Sequence, residues 1–171
     1  MRSSQVLDEA FARIPAVVGR AVDGLDAAAL RWQPESGTNP IGWLVWHLTR
    51  VQDDHVSELA GVTQVWLEEG WASRFGLEPG TTATGYGHTA AQVAAVRPRD
   101  TEVVLRYLDA VTARTRTFLE TVSDDDLDRV VDASWDPPVT MGVRLVSVID
   151  DGMQHAGQAA YLRGLHDRAT A

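Results

Sequence analysis

The sequence contains no cysteine, and all of its 15 basic residues are arginine. The first absence excludes disulfides, a cysteine nucleophile and a thiolate metal site, so any thiol taking part in a reaction must arrive with a substrate. The second excludes Schiff-base chemistry and a phosphate-binding P-loop lysine. No apolar run approaches the ~18 residues that a membrane-crossing helix needs. Asp8 and Glu9 stand where a secretory signal would carry its apolar segment, so a cytoplasmic location and no membrane partner are expected. Basic charge is scarce as well. A net charge of -9 and a pI near 4.9 remove the clustered positive surface that phosphate binding rests on, and no nucleic-acid partner is expected.

What is present is a chain of 171 residues, 44% hydrophobic and 23% charged, close to the average of globular proteins and of the length of one domain. Residues 1–171 are therefore read as a single domain. Leu7, Phe11, Ile14, Val18, Val22 and Leu25 recur at helical steps and predict a first helix over about 3–24, kinked at Pro15. Asn39-Pro40 reads as the start of a second helix, Asn39 capping and Pro40 in the first turn, which runs to about residue 60. A third begins after Asp100, with Val104, Leu108, Val111, Thr115, Phe118 and Val122 facing the core. Ser123 to Leu127 reads as a short capped helix, Trp135 to Pro138 as a stiff loop, and Thr140 as the cap of a last helix over about 141–166. No convincing strand is found. The fold class is all-α, a four-helix bundle with a long irregular connection between helices 2 and 3. That connection, Gly61 to Arg99, holds six glycines and the Trp66, Trp71 and Phe75 cluster. It is too long to be bare, so it either contains short helices or covers something.

The chemistry-bearing residues are few. Asp151 and His155 lie four apart in the last helix, a spacing that puts both on one face within reach of one metal ion. A third ligand must come from another helix, and His47, midway along the apolar stretch Ile41 to Leu48, is the candidate. Two imidazoles and a carboxylate suit Zn foremost, with Fe(II) or Ni as alternatives, over the oxygen-preferring Ca and Mg. The same three residues can also be read without a metal, as an imidazole paired with a carboxylate in a helix interface.

Around them, Asp54 lies two turns beyond His47 and Gln158 three residues beyond His155, both placed to orient a ligand. Arg50 and Arg144 are candidates for holding a substrate carboxylate, or for ion pairs within the protein. Trp46 joins the other tryptophans as core, or as the apolar wall of a covered pocket. His55 and His166 read as helix-end residues, His88 as a turn residue, and Trp135 as core or interface. No residue is assigned as catalytic.

The stretches Pro40-Ile-Gly-Trp-Leu-Val-Trp-His47-Leu and Asp151-Gly-Met-Gln-His155-Ala-Gly-Gln158 closely resemble the DinB-like superfamily. Within it they resemble the actinobacterial mycothiol-dependent transferase and maleylpyruvate isomerase-like group, over nearly the whole chain. The resemblance implies a DinB-like four-helix bundle, a homodimer, and one divalent metal held by His47, Asp151 and His155. It also implies mycothiol, or a similar low-molecular-weight thiol, as co-substrate and nucleophile toward a small electrophile. The family's usual last helix carries His-x-x-x-His, so Asp151 stands where a histidine is expected, and a carboxylate there lowers the net charge and Lewis acidity of the site. A metal-assisted hydrolase and a non-catalytic metal- or ligand-binding bundle are the alternatives.

Overall fold

A computed structural model describes residues 1–171. Four long helices carry the architecture: α1 (Ser3–Val22), α2 (Ile41–Ala60), α5 (Thr101–Thr121) and α7 (Met141–Thr170). Between α2 and α5 lie two short helices, α3 (Val65–Glu68) and α4 (Ala90–Ala95), and a 3-10 turn at Ala72–Phe75; α6 (Asp124–Leu127) follows α5. The four long helices touch in a ring: α1 packs on α7 and α5, and α2 packs on the same two.

Each boundary has a local cause. The Asp100 carboxylate accepts the Val103 N–H at 2.8 Å and starts α5. The Thr140 hydroxyl accepts from Val143 and starts α7. The expected cap of α2 is displaced by one residue: Pro40, not Asn39, occupies the capping position with φ −72 and ψ 160, and no side chain caps it. Proline's fixed φ suits that extended position, and its carbonyl accepts the Leu44 N–H. α1 runs unbroken through Pro15, and α7 continues past the expected end to Thr170.

The core-facing positions follow the helical period, with Phe11, Ile14 and Val18 of α1, Val104, Leu108 and Val111 of α5, and Leu145, Val148 and Ala156 of α7 all buried. In α5 the stripe passes from Phe118, half-buried, to Leu119, fully buried, because a straight helix drifts against a seven-residue repeat. α2 behaves differently: every residue from Ile41 to Arg50 is buried. A helix buried on all sides needs cover beyond its two neighbours. The Gly61–Arg99 connection provides it, folding α3, Trp66, Trp71 and Phe75 against the core. Both expectations for this segment are met together. Gly42 shows how closely the chain closes around α2, since a Cβ there would lie 2.9 Å from the Leu30 carbonyl oxygen and 2.9 Å from Pro98.

One feature was not foreseen. β1 (Val130–Asp132) and β2 (Val139–Thr140) form an antiparallel pair, Val130 opposite Thr140 and Asp132 opposite Val139. Strands this short carry no readable alternation. The pair brings the Trp135 loop back over α7.

Candidate metal centre

α2 and α7 lie side by side, His47 opposite Asp151. The His47 Nε2 is 3.9 Å from Asp151 Oδ1, and the His155 Nε2 is 3.5 Å from the same oxygen. These distances exceed a hydrogen bond, so three donor atoms face one another across a gap. All three ligand atoms lie within 4.8 Å of one another. The second oxygen of Asp151 is buried and has no hydrogen-bond partner. A buried carboxylate oxygen without a donor is costly, and a cation in the gap removes that cost.

The outer bonds of both imidazoles favour the same function. His47 Nδ1 lies 2.6 Å from the Thr84 carbonyl oxygen, which can only accept, so that nitrogen carries the proton and Nε2 is bare. His155 Nδ1 lies 2.8 Å from Gln158 Oε1, which turns its Nε2 inward in the same way. Both Nε2 atoms thus face Asp151. Burial lowers the His47 pKa below its ordinary value and keeps it neutral, whereas contact with the Asp151 carboxylate raises that of His155. Trp43 stacks on His47 at 4.7 Å and 14°, fixing the ring plane.

A cavity of about 610 Å³ opens from this cluster. His47 and Asp151 form one end, and Asp54, His55 and Arg144 line the rest, with Tyr86 and Trp135 among the walls. Arg144 donates to His55 Nδ1 at 3.0 Å and pairs with Asp132 and Glu58. Asp54 accepts from Gln64 Nε2.

The sequence-derived residues therefore separate. His47, Asp151, His155 and Gln158 come together, and Asp54 and Arg144 line the adjoining cavity. Arg50 and Trp46 do not reach it. Arg50 is fully buried, and Trp46 lies behind His47, stacked on His88 at 5.6 Å. Asp150 faces outward to Gln154. His55 is not a surface residue at the helix end but lines the cavity, its ring meeting Arg144 of α7 at 3.0 Å. Trp135 is not core: it is 66% exposed at the cavity wall, carried there by the unforeseen strand pair. Sequence reasoning missed Thr84, whose contribution is a backbone carbonyl and leaves no residue-type signal. The Gly-Tyr-Gly run from 85 to 87 was the only trace of a close approach.

His55 gives a pH prediction. Burial, then the Arg144 guanidinium, lowers its pKa from the ordinary ~6.5. The unfolded chain takes up this proton near pH ~6.5 while the folded chain does not, so stability is full above that pH and falls as the pH drops below it. Melting temperatures measured at about pH 7.5 and about pH 5.5 are expected to show a smaller acid loss in His55→Gln than in the parent. Equal losses would mean that His55 is not held neutral.

The family model for Mycothiol-S-transferase matches residues 6–168. Comparison with curated proteins gave no match. Among solved structures, the "conserved protein of locus from Enterococcus faecalis" is similar, with 32% identity and a TM-score of 0.88 over 95% of this chain and 96% of that one. The chain belongs to the mycothiol S-transferase family, a DinB-like family.

Proposed function

We propose that this member of the mycothiol S-transferase family is a metal-dependent transferase in which His47, Asp151 and His155 hold one divalent ion, Zn2+ foremost and Fe2+ or Ni2+ as alternatives. The thiol substrate is mycothiol or a close analogue, and the acceptor is a small electrophile seated in the cavity. On the same reading residues 1–171 form one DinB-like domain, a four-helix bundle, working in the cytoplasm. The observation that carries the proposal is the convergence of the His47 and His155 Nε2 atoms on a carboxylate whose other oxygen is buried without a donor.

When bound there, a divalent ion supplies positive charge that favours the thiolate over the thiol at neutral pH. The protein's own groups do the rest. Thr84 and Gln158 hold the protons of both imidazoles on the outer nitrogens, so no tautomer change precedes binding. Val51 and Val148 give the cavity apolar walls beside Asp151, which limits water at the reacting end. Asp54 and Arg144 present opposite charges farther along the same cavity and orient polar groups of the two substrates.

The test is metal content and ligand response in untagged protein. About one equivalent of divalent metal is expected, together with a further rise in melting temperature on adding mycothiol but not glutathione or free cysteine, since a ligand of the native state stabilises it. Protein with less than about a tenth of an equivalent after Zn2+ loading would sink the proposal. Ester or amide hydrolysis without any thiol would replace transfer by hydrolysis.

A further inference from the structure

Residues 81–85 cross the buried half of α2 without regular structure. Their backbone–backbone bonds lie only at the ends, Thr81 N–H to Glu78 and His88 N–H to Gly85. Four successive carbonyls instead accept from side chains. Thr81 accepts from Trp66 Nε1 at 2.6 Å, Thr82 from an Arg50 Nη at 3.0 Å, Ala83 from Arg50 Nε at 3.3 Å, and Thr84 from His47 Nδ1 at 2.6 Å.

Thr82 and Ala83 are themselves exposed, yet their carbonyls turn inward to a guanidinium that is fully buried. What the two Arg50 bonds do fix is the position of the segment over α2, because Nε and Nη of one rigid plane hold two adjacent carbonyls at once. The next carbonyl is the one that accepts from His47. The residue after it is Gly85, at φ +108, where a Cβ would lie 2.6 Å from His47 Nδ1 and 3.0 Å from both Trp43 and Trp46. The segment therefore touches the imidazole at two successive residues, while Arg50 stands one turn from His47 on the same helix.

We propose that Arg50 is a positioning residue for His47: it clamps the 81–85 segment so that the Thr84 carbonyl fixes the Nδ1–H tautomer and aims the bare Nε2 at Asp151. Gly85 is the contact that only a residue without a side chain permits. The inference rests on the metal-site reading for its consequence, but the imidazole's tautomer is a property of the metal-free chain.

The experiment uses the full chain, Arg50→Lys and Gly85→Ala. Lysine keeps a cation beside Asp53 but is a single point charge and cannot hold two carbonyls in one plane. Two quantities are read: Zn2+ affinity by competition with a chromophoric chelator, and the ring nitrogen shifts of His47 in metal-free protein. The parent is expected to show a single Nδ1–H tautomer, and both variants a mixture, with Zn2+ affinity lower by about 10- to 100-fold. Unchanged affinity together with an unchanged single tautomer in the variants overturns the inference. Should Arg50→Lys not fold, Arg50→Gln, whose amide can reach one of the two carbonyls but not both, takes its place; Gly85→Ala tests only the contact of the segment with the ring, because its Cβ meets His47 directly. A parent that does not bind Zn2+ defeats the metal reading by itself, and the tautomer comparison still decides the role of Arg50.

Discussion

Replacing His47 with alanine is expected to lower Zn2+ affinity by roughly 100- to 1000-fold and to leave the helical content of the chain unchanged. The magnitude follows from sharing the ~10–16 kcal/mol of a four-ligand zinc site among its ligands, which gives ~2.5–4 kcal/mol each, or about two to three powers of ten. The fold should survive because the imidazole's own hydrogen bond goes to the Thr84 carbonyl at the edge of the cavity, where water can take its place. His88→Ala is the matched control. That imidazole stacks on Trp46 and accepts from Trp43 Nε1 at 3.3 Å, yet it contributes no atom to the cluster, so its loss should leave Zn2+ affinity within about threefold. Equal metal affinity in His47→Ala and the parent, measured by the same chelator competition, would show that the three side chains are a hydrogen-bonded pair and a neighbour, and the transferase reading would lose its ion.

The clustered positions of His47, Asp151 and His155 were legible because much of their geometry is local. Asp151 and His155 share a face by helical spacing, and His47 stands in a run so apolar that its helix had to be buried. The long helices were legible for the same reason, since period and caps are written within a few residues of each other. What was not legible depends on contacts between distant segments. Arg50 looks from its spacing like a residue of the His47 face with a free charge, and the folding of Asp53, Gln64, Tyr107 and residues 82–83 around it turns it into a satisfied buried cation. Trp135 lines the cavity because the five residues of the β1–β2 pair fold the intervening loop over α7, and no pattern of so few residues announces itself. The adjacent pair Asp53 and Asp54 is the sharpest case. The seven-residue spacing from His47 singles out Asp54 for the cavity, and the helix does turn it there, but nothing in the sequence marks Asp53 as the buried partner of Arg50 and α3.

That difference of one position predicts a large difference in stability. Asp53 is 1% exposed and accepts from five groups: the backbone N–H of Val65 and of Trp66, the hydroxyls of Ser57 and Tyr107, and the Arg50 guanidinium. It therefore caps α3 from another helix and neutralises the buried cation at the same time. Burial pushes the Tyr107 hydroxyl well above its ordinary pKa, so it remains a donor to Asp53. Asp53→Ala removes the acceptor common to all five and leaves the buried guanidinium without a counter-charge, its remaining partners being the neutral oxygens of Gln64, Tyr107, Thr82 and Ala83, a change that costs about 3–5 kcal/mol. For a chain of this length the melting temperature is expected to fall on the order of 10 °C. Asp54→Ala loses one bond, to the Gln64 amide, at a half-buried site, and should cost no more than about 1 kcal/mol. Asp53→Asn should fall between them, because its amide keeps an oxygen for α3 but turns a donor toward Arg50 or Tyr107. Thermal unfolding of the three variants ranks them directly. Near-equal losses at 53 and 54 would mean that water reaches the cluster, and the 81–85 segment would then be held by a solvated arginine rather than by a rigid buried one.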